Sequence, residues 1–197
     1  RPFSRVRTPC HQLPVPPYDG DKETAWKEAR TLFEDHGNEL AALVVEPLCQ
    51  GAAGMRMYEP AYLAYLSELC NTYNVLLIVD EVATGFGRTG TMFAFEQANI
   101  DPDIVCVGKA LSAGYLPISA AIVKNAIYDT FRDGEQDCTF YHGHTFAGNP
   151  LCAAAAVAAI KVYRDEDLPS RTAELSRVLV DGLEGLRPLA GVKDVRC

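Results

Sequence analysis

Two ionisable residues of complementary type each follow a short apolar run: Asp80 closes Val75-Leu76-Leu77-Ile78-Val79, and Lys109 follows Val105-Cys106-Val107-Gly108. Runs of that length, rich in β-branched residues, predict strands of a parallel sheet. In open α/β sheets, ligands collect beyond the carboxyl ends of such strands. A carboxylate and an amine delivered there match what pyridoxal 5'-phosphate (PLP) requires. The carboxylate holds the pyridinium nitrogen protonated, and the amine forms an imine and then shuttles a proton. By residue type alone a second reading stays open, in which Asp80 caps a loop and Lys109 is a solvated strand end.

Gly85-Phe86-Gly87-Arg88-Thr89-Gly90 has the spacing G-x-G-x-x-G and raises a dinucleotide-binding alternative. In that motif the glycines open a helix directly after the strand. Here Asp80-Glu81-Val82-Ala83-Thr84 intervene, with two acids badly placed beside a pyrophosphate, and Asp101 and Asp103 precede their strand rather than end it. A glycine loop shaping the wall of a site fits better. Further on, His142-Gly143-His144-Thr145-Phe146-Ala147-Gly148-Asn149-Pro150 joins a loop to an Ala-rich stretch. Thr145 offers a hydroxyl and an N–H for a phosphate oxygen; the alternative is a turn whose Thr, Asn and Gly satisfy local backbone. His142 and His144 alternate as two metal ligands on a strand would, but nothing nearby completes a set and no metal is expected.

The elements that must position these residues follow from periodicity. Lys22–His36 has Trp26, Ala29, Leu32 and Phe33 on one side and predicts an amphipathic helix that Gly37 can end. Ala41–Glu46 predicts a buried strand. Pro60 begins a helix carrying Leu63, Leu66, Leu69, Cys70 and Tyr73, and Val75–Asp80, Ile104–Val107 and Ile118–Val123 are further strands. An Ala-rich helix runs from Pro150 to about Tyr163, with Pro tolerated at its first position, and Leu168–Leu186 is another helix. Strands alternating with helices predict an α/β fold: a mostly parallel sheet covered by helices on both faces. The Pro-rich first 20 residues read as an extended connector ending in a turn at Asp19-Gly20.

Composition sets the frame. The 197 residues, 48% hydrophobic and 22% charged, suit a globular domain. A formal charge of −8 argues against nucleic acid or an anionic membrane surface as partner. No apolar run approaches the roughly 20 residues of a spanning helix. Seven cysteines without a CxxC pair or an even, tight framework predict reduced thiols, and hence a cytoplasmic setting. The start at Arg1, with no initiator Met, and the strand-like run Val192–Cys197 suggest a segment of a longer protein.

Taken together, the motifs resemble the class III, fold-type I PLP-dependent aminotransferases. The resemblance spans about Leu40 to Tyr163. Val79-Asp80-Glu81-Val82-Ala83-Thr84-Gly85-Phe86-Gly87-Arg88-Thr89-Gly90 matches the family's signature. Pro102-Asp103-Ile104, Gly108-Lys109-Ala110-Leu111 and His142-Gly143-x-Thr145-Phe146-x-Gly148-Asn149-Pro150-Leu151 follow in the expected order. The resemblance implies an aspartate-aminotransferase-like large domain. In it Lys109 holds PLP as a Schiff base, Asp80 pairs with the pyridinium nitrogen and Val82 packs on the ring. It further implies that Thr145 binds the cofactor phosphate, usually that of the neighbouring subunit of a homodimer, and that Gly143 and His144 line the same loop near substrate and phosphate. His144 departs from the Ser or Pro common there.

Within the family, Glu46-Pro47-Leu48-Cys49-Gln50-Gly51-Ala52-Ala53-Gly54-Met55-Arg56-Met57-Tyr58 resembles the diaminopelargonate branch of biotin synthesis. The Glu that ornithine- and 4-aminobutyrate-type members carry after Gln-Gly is Ala52 here, and Ala83 also suits that branch. The implied reaction is transamination of 8-amino-7-oxononanoate with S-adenosylmethionine as amino donor; the alternative is an ω-amino-acid or diamine aminotransferase. Residues 1–165 would form the central part of the PLP-binding large domain, and 166–197 a helix and the start of a C-terminal small domain. The family's Gly-Ser phosphate loop, stacking aromatic and carboxylate-binding arginine have no counterpart in this chain.

Overall fold

The computed structural model describes residues 10–17, 21–133, 138–192 and 195–196. Helix α1 (Glu23–His36) buries Ala25, Ala29 and Phe33, residues four apart on one stripe. Asp21, just ahead of it, accepts the Glu23 N–H (3.0 Å), a donor that the helix start leaves open, and the Thr24 hydroxyl (2.8 Å). Gly37 closes the helix in ordinary right-handed backbone, its N–H donating to the Phe33 carbonyl.

Strand β1 (Ala42–Val45) is followed by a short antiparallel pair, β2 (Cys49–Gln50) and β3 (Arg56–Met57). The sequence marks Met55–Tyr58 only as a resemblance. In the fold Tyr58 is buried and its hydroxyl donates to the Glu46 carbonyl at 2.7 Å. Helix α2 (Pro60–Tyr73) starts on proline and ends at Asn74, which takes the left-handed conformation (φ 54°) that closes a helix end. Its buried Tyr62, Leu63, Leu66, Leu69 and Cys70 meet Phe33 of α1 and Val45, Leu77 and Val79 of the sheet in one core.

The sheet continues with β4 (Leu76–Asp80), β5 (Ile104–Val107) and β6 (Ala120–Val123), in the spatial order β1-β4-β5-β6. Strands β1, β4 and β5 are parallel, so their carboxyl ends share one edge; β6 runs antiparallel to β5. Helices α3 (Asn125–Asp133), α4 (Pro150–Asp165) and α5 (Leu168–Glu184) complete the chain. At the opposite edge, Asp103 accepts the Leu77 N–H at 2.8 Å and an ion pair from Lys124 at 3.1 Å. The Asp of the Pro102-Asp103-Ile104 motif thus pins the amino ends of β4 and β5.

Two expectations need correction. The first strand is only partly buried, since Val45 is buried but Val44 is 64% exposed, as is Leu76 of β4 at 39%. Nor do the helices of the described residues cover both faces of the sheet. Alternation turns Val45, Leu77 and Val79 to α1 and α2, and turns Val44 and Leu76 to a face that no described helix covers. Helix α3 and the β2–β3 pair are additions that the periodicity does not predict. The expected turn at Asp19-Gly20 lies outside the described residues. Of the run 192–197, only 192, 195 and 196 are described, and none of them is in a strand. The six described cysteines are all free. Among the described residues no helix is long and apolar enough to cross a membrane.

Candidate active site

Register decides what meets at the shared edge. Asp80, the last residue of β4, lies opposite Cys106 of β5, and Lys109 follows three residues beyond. The Glu81 N–H donates to the Cys106 carbonyl at 2.8 Å, extending the ladder one step past the strand end. Asp80 Oδ1 accepts the Val82 N–H at 3.0 Å. That is the loop-capping bond of the second reading, but it occupies one oxygen only; Oδ2 has no partner among the described residues. Val82 reaches back over the turn: a Cβ placed on Gly108 would lie 3.5 Å from both of its γ-carbons and 3.6 Å from Cβ of Ser119. Asp80, Val82 and the backbone leading into Lys109 therefore form one contiguous wall.

Lys109 opens a short 3-10 turn (Lys109–Ser112) with φ at +43°, in the left-handed region. For a residue with a Cβ that conformation costs about 1–2 kcal/mol. It persists because the turn is tied by Leu111 N–H to the Gly108 carbonyl (2.9 Å), Ala113 N–H to the Ala110 carbonyl (2.9 Å) and the Tyr163 hydroxyl to the same Ala110 carbonyl (2.6 Å). Lys109 is exposed and makes no side-chain hydrogen bond or ion pair among the described residues. It borders a cavity of about 1290 Å³ with Ser119, His142, Gly143, His144 and Asn149. The fold thus brings Lys109, Gly143 and His144 to one cavity. Asp80, Val82 and Thr145 do not line it: Val82 packs against Gly108, and Thr145 is exposed in the turn ahead of α4.

The loop before α4 holds a partly local set of bonds. Asn149 caps α4, its Oδ1 accepting the Leu151 and Cys152 N–H groups at 2.9 and 3.3 Å. His144 Nδ1 accepts the Phe146 N–H at 3.1 Å. The Thr145 hydroxyl is left without a protein partner among the described residues.

Gly85–Gly90 does not open a helix; the segment is a succession of turns leading to a 3-10 turn at Ala94–Ala98. Gly87 (φ +89°) approaches α5 so closely that a Cβ there would lie 3.4 Å from the Pro169 nitrogen. The dinucleotide alternative fails on that geometry, because a phosphate cradle needs helix N–H groups directed at the ligand.

Residue types alone give no signal for Glu81. It is fully buried, with Oε2 accepting the Thr84 hydroxyl at 2.7 Å and Oε1 accepting the Phe95 N–H at 2.9 Å. Burial outweighs these bonds and holds its carboxyl above the ordinary 4.5. An acid more basic folded than unfolded binds a proton on folding, so its contribution is most favourable at low pH and is lost as pH rises through the raised value. Glu81→Gln keeps the shape but cannot titrate. Its unfolding midpoint is expected to gain on that of the parent as pH increases above 4.5, and a difference independent of pH would show that Glu81 does not titrate there.

The donor set fits PLP. A half-free carboxylate and a free amine, the latter bordering a large cavity, leave adjacent parallel strands at one edge. Sequence comparison decides the family: the profile of Aminotransferase class-III matches residues 2–197. The chain belongs to the class-III aminotransferases. The family is PLP-dependent. The adenosylmethionine-8-amino-7-oxononanoate aminotransferase of Mycobacterium leprae is 45% identical over 188 residues, which are 95% of this chain and 43% of that protein. The enzyme of the same name from Methanocaldococcus jannaschii has a solved structure with TM-score 0.83 and 36% identity, covering 92% of this chain and 42% of that one. A PLP-bound amine transaminase from an uncultivated Pseudomonas species gives TM-score 0.87 at 34% identity, over 95% of this chain and 45% of that one. This class-III chain therefore spans about two-fifths of the length of such relatives.

Proposed function

We propose that this chain is the cofactor-holding middle portion of a transaminase that moves an amino group from S-adenosylmethionine to 8-amino-7-oxononanoate, giving 7,8-diaminononanoate for biotin synthesis. The observation that carries the reading is the delivery of Asp80 and Lys109 from neighbouring parallel strands to one edge. The similarity to the adenosylmethionine-8-amino-7-oxononanoate aminotransferases of Mycobacterium leprae and Methanocaldococcus jannaschii supports the substrate pair.

Bound PLP supplies an electron-accepting ring that lowers the cost of removing the substrate Cα proton. Lys109 holds the cofactor through Nζ and afterwards takes and returns that proton. Asp80 supplies the anion for the ring nitrogen, through the oxygen that Val82 leaves free. Val82 gives the ring an apolar surface, and its contact with Gly108 keeps that surface next to Lys109. Thr145 binds the phosphate, with His144 beside it. Gly143 leaves room for substrate, since a Cβ added there would meet no other atom within 4 Å.

A homodimer follows from a phosphate loop that serves the neighbouring subunit. The exposed Tyr141 (92%) and Phe146 (69%) flanking that loop support this. Residues 1–165 form part of the large domain, and 166–197 lead into the small one. Reduced thiols support a cytoplasmic setting. A second reading, an amine or ω-amino-acid transaminase, is favoured by the structural similarity to the Pseudomonas enzyme.

The test uses the full gene product, incubated with PLP and reduced with borohydride before peptide mapping. A pyridoxyl group on Lys109 is expected; an unlabelled Lys109 in folded protein rejects the mechanism. Turnover with S-adenosylmethionine, rather than alanine or another amine, then separates the two readings.

A further inference from the structure

We propose that Tyr163 is a positioning residue for Lys109: its hydroxyl holds the turn that keeps the lysine in left-handed backbone and aimed along the sheet edge. The inference rests on the reading of Lys109 as the cofactor-holding amine.

Lys109 is the first residue of its turn and has positive φ, as does Ala113 at its end. Such a turn relaxes unless its surroundings hold it. Two of its ties, from Leu111 and Ala113, lie within the turn and travel with it. The Ser112 hydroxyl also donates to the Leu116 carbonyl just beyond the turn, and the tie to a distant part of the chain is the 2.6 Å bond from the Tyr163 hydroxyl to the Ala110 carbonyl, 53 residues apart in sequence. Tyr163 is itself anchored: it is 8% exposed on α4, and its ring lies 5.8 Å from that of Phe86 in the glycine loop. Ala156 of the same helix packs against Leu111 and Val107. Burial raises the Tyr163 phenol above 10, so it remains a donor at neutral pH. Helix α4 also begins at the loop that borders the Lys109 cavity. One rigid element therefore sets both the loop and the lysine turn.

Tyr163→Phe removes the hydroxyl and leaves the ring in place, so the fold is retained. In the full gene product, the rate at which PLP attaches to Lys109, followed by absorbance and borohydride trapping, is expected to fall about three- to tenfold, the range of one hydrogen bond. The kcat should fall similarly, with KM for the amino donor within about twofold. Tyr163→Leu, which also loses the ring packing, should lower the unfolding midpoint and slow attachment no less. Parent and Tyr163→Phe proteins that attach PLP at equal rates overturn the inference while leaving Lys109 in its role. A parent protein that takes no label at Lys109 overturns both. A lowered unfolding midpoint with attachment and kcat unchanged makes Tyr163 merely structural and also overturns it.

Discussion

Lys109→Ala is expected to abolish covalent PLP attachment and to lower kcat by at least about 10³-fold, because the proposed mechanism gives the roles of nucleophile and proton carrier to this one group. The effect should fall on chemistry and not on folding. Lys109 is exposed and has no side-chain partner among the described residues, so its removal should change stability by no more than about 0.5 kcal/mol. Lys109→Arg should not restore activity, since a guanidinium stays protonated and cannot form the bond. Peptide mapping after borohydride, together with steady-state rates on the full gene product, provides the check. Retained turnover with no label at position 109 would falsify the assignment of this lysine.

The second large effect concerns Asp80. Asp80→Asn keeps the size and the Oδ1 acceptor for the Val82 N–H. It removes the charge. If Asp80 pairs with the cofactor nitrogen as proposed, a neutral amide would not keep that nitrogen protonated, and the ring would accept electrons less well. The expected loss in kcat is about 10²–10³-fold, the usual range for one preorganised electrostatic group, with weaker PLP binding by titration. If Asp80 only caps its loop, Asn should cap equally well and both quantities should stay within about twofold of the parent. The isosteric change separates those two roles, which residue type alone could not.

How far the residues alone can lead differs from element to element. The strands at 76–80 and 104–107 and the helices from Pro60 and Pro150 are legible because each has an unbroken local period or a start signal that a neighbour can read. Helix α3 carries a weaker trace, Ile127, Tyr128 and Phe131 at helical spacing, too short to predict it. The β2–β3 pair cannot be read at all, since two-residue strands have no period. Val44 sits in an apolar run that predicts burial and yet is exposed, because a run reports hydrophobicity and not which neighbours are present to cover it.

The candidate site divides in the same way. Asp80, Lys109 and Thr145 are identified by type, by place after a strand or before a helix, and by the order of four motifs. Those features are encoded in short stretches of chain, so the sequence by itself determined the family and the cofactor class and singled out the candidate residues for the chemistry. Only the tertiary structure decided the rest. Of the adjacent acids Asp80 and Glu81, one has a free oxygen at the sheet edge and the other is buried, because Glu81 finds Thr84, Phe95 and Cys106 as partners. Tyr163 reads as one more apolar residue of a helix until the fold sets its hydroxyl against Ala110. The parallel register placing Asp80 opposite Cys106, and the reversal of β6, likewise depend on contacts between segments far apart in sequence. Periodicity is a property of neighbours along the chain, whereas burial, register and hydrogen-bond partners belong to neighbours in space.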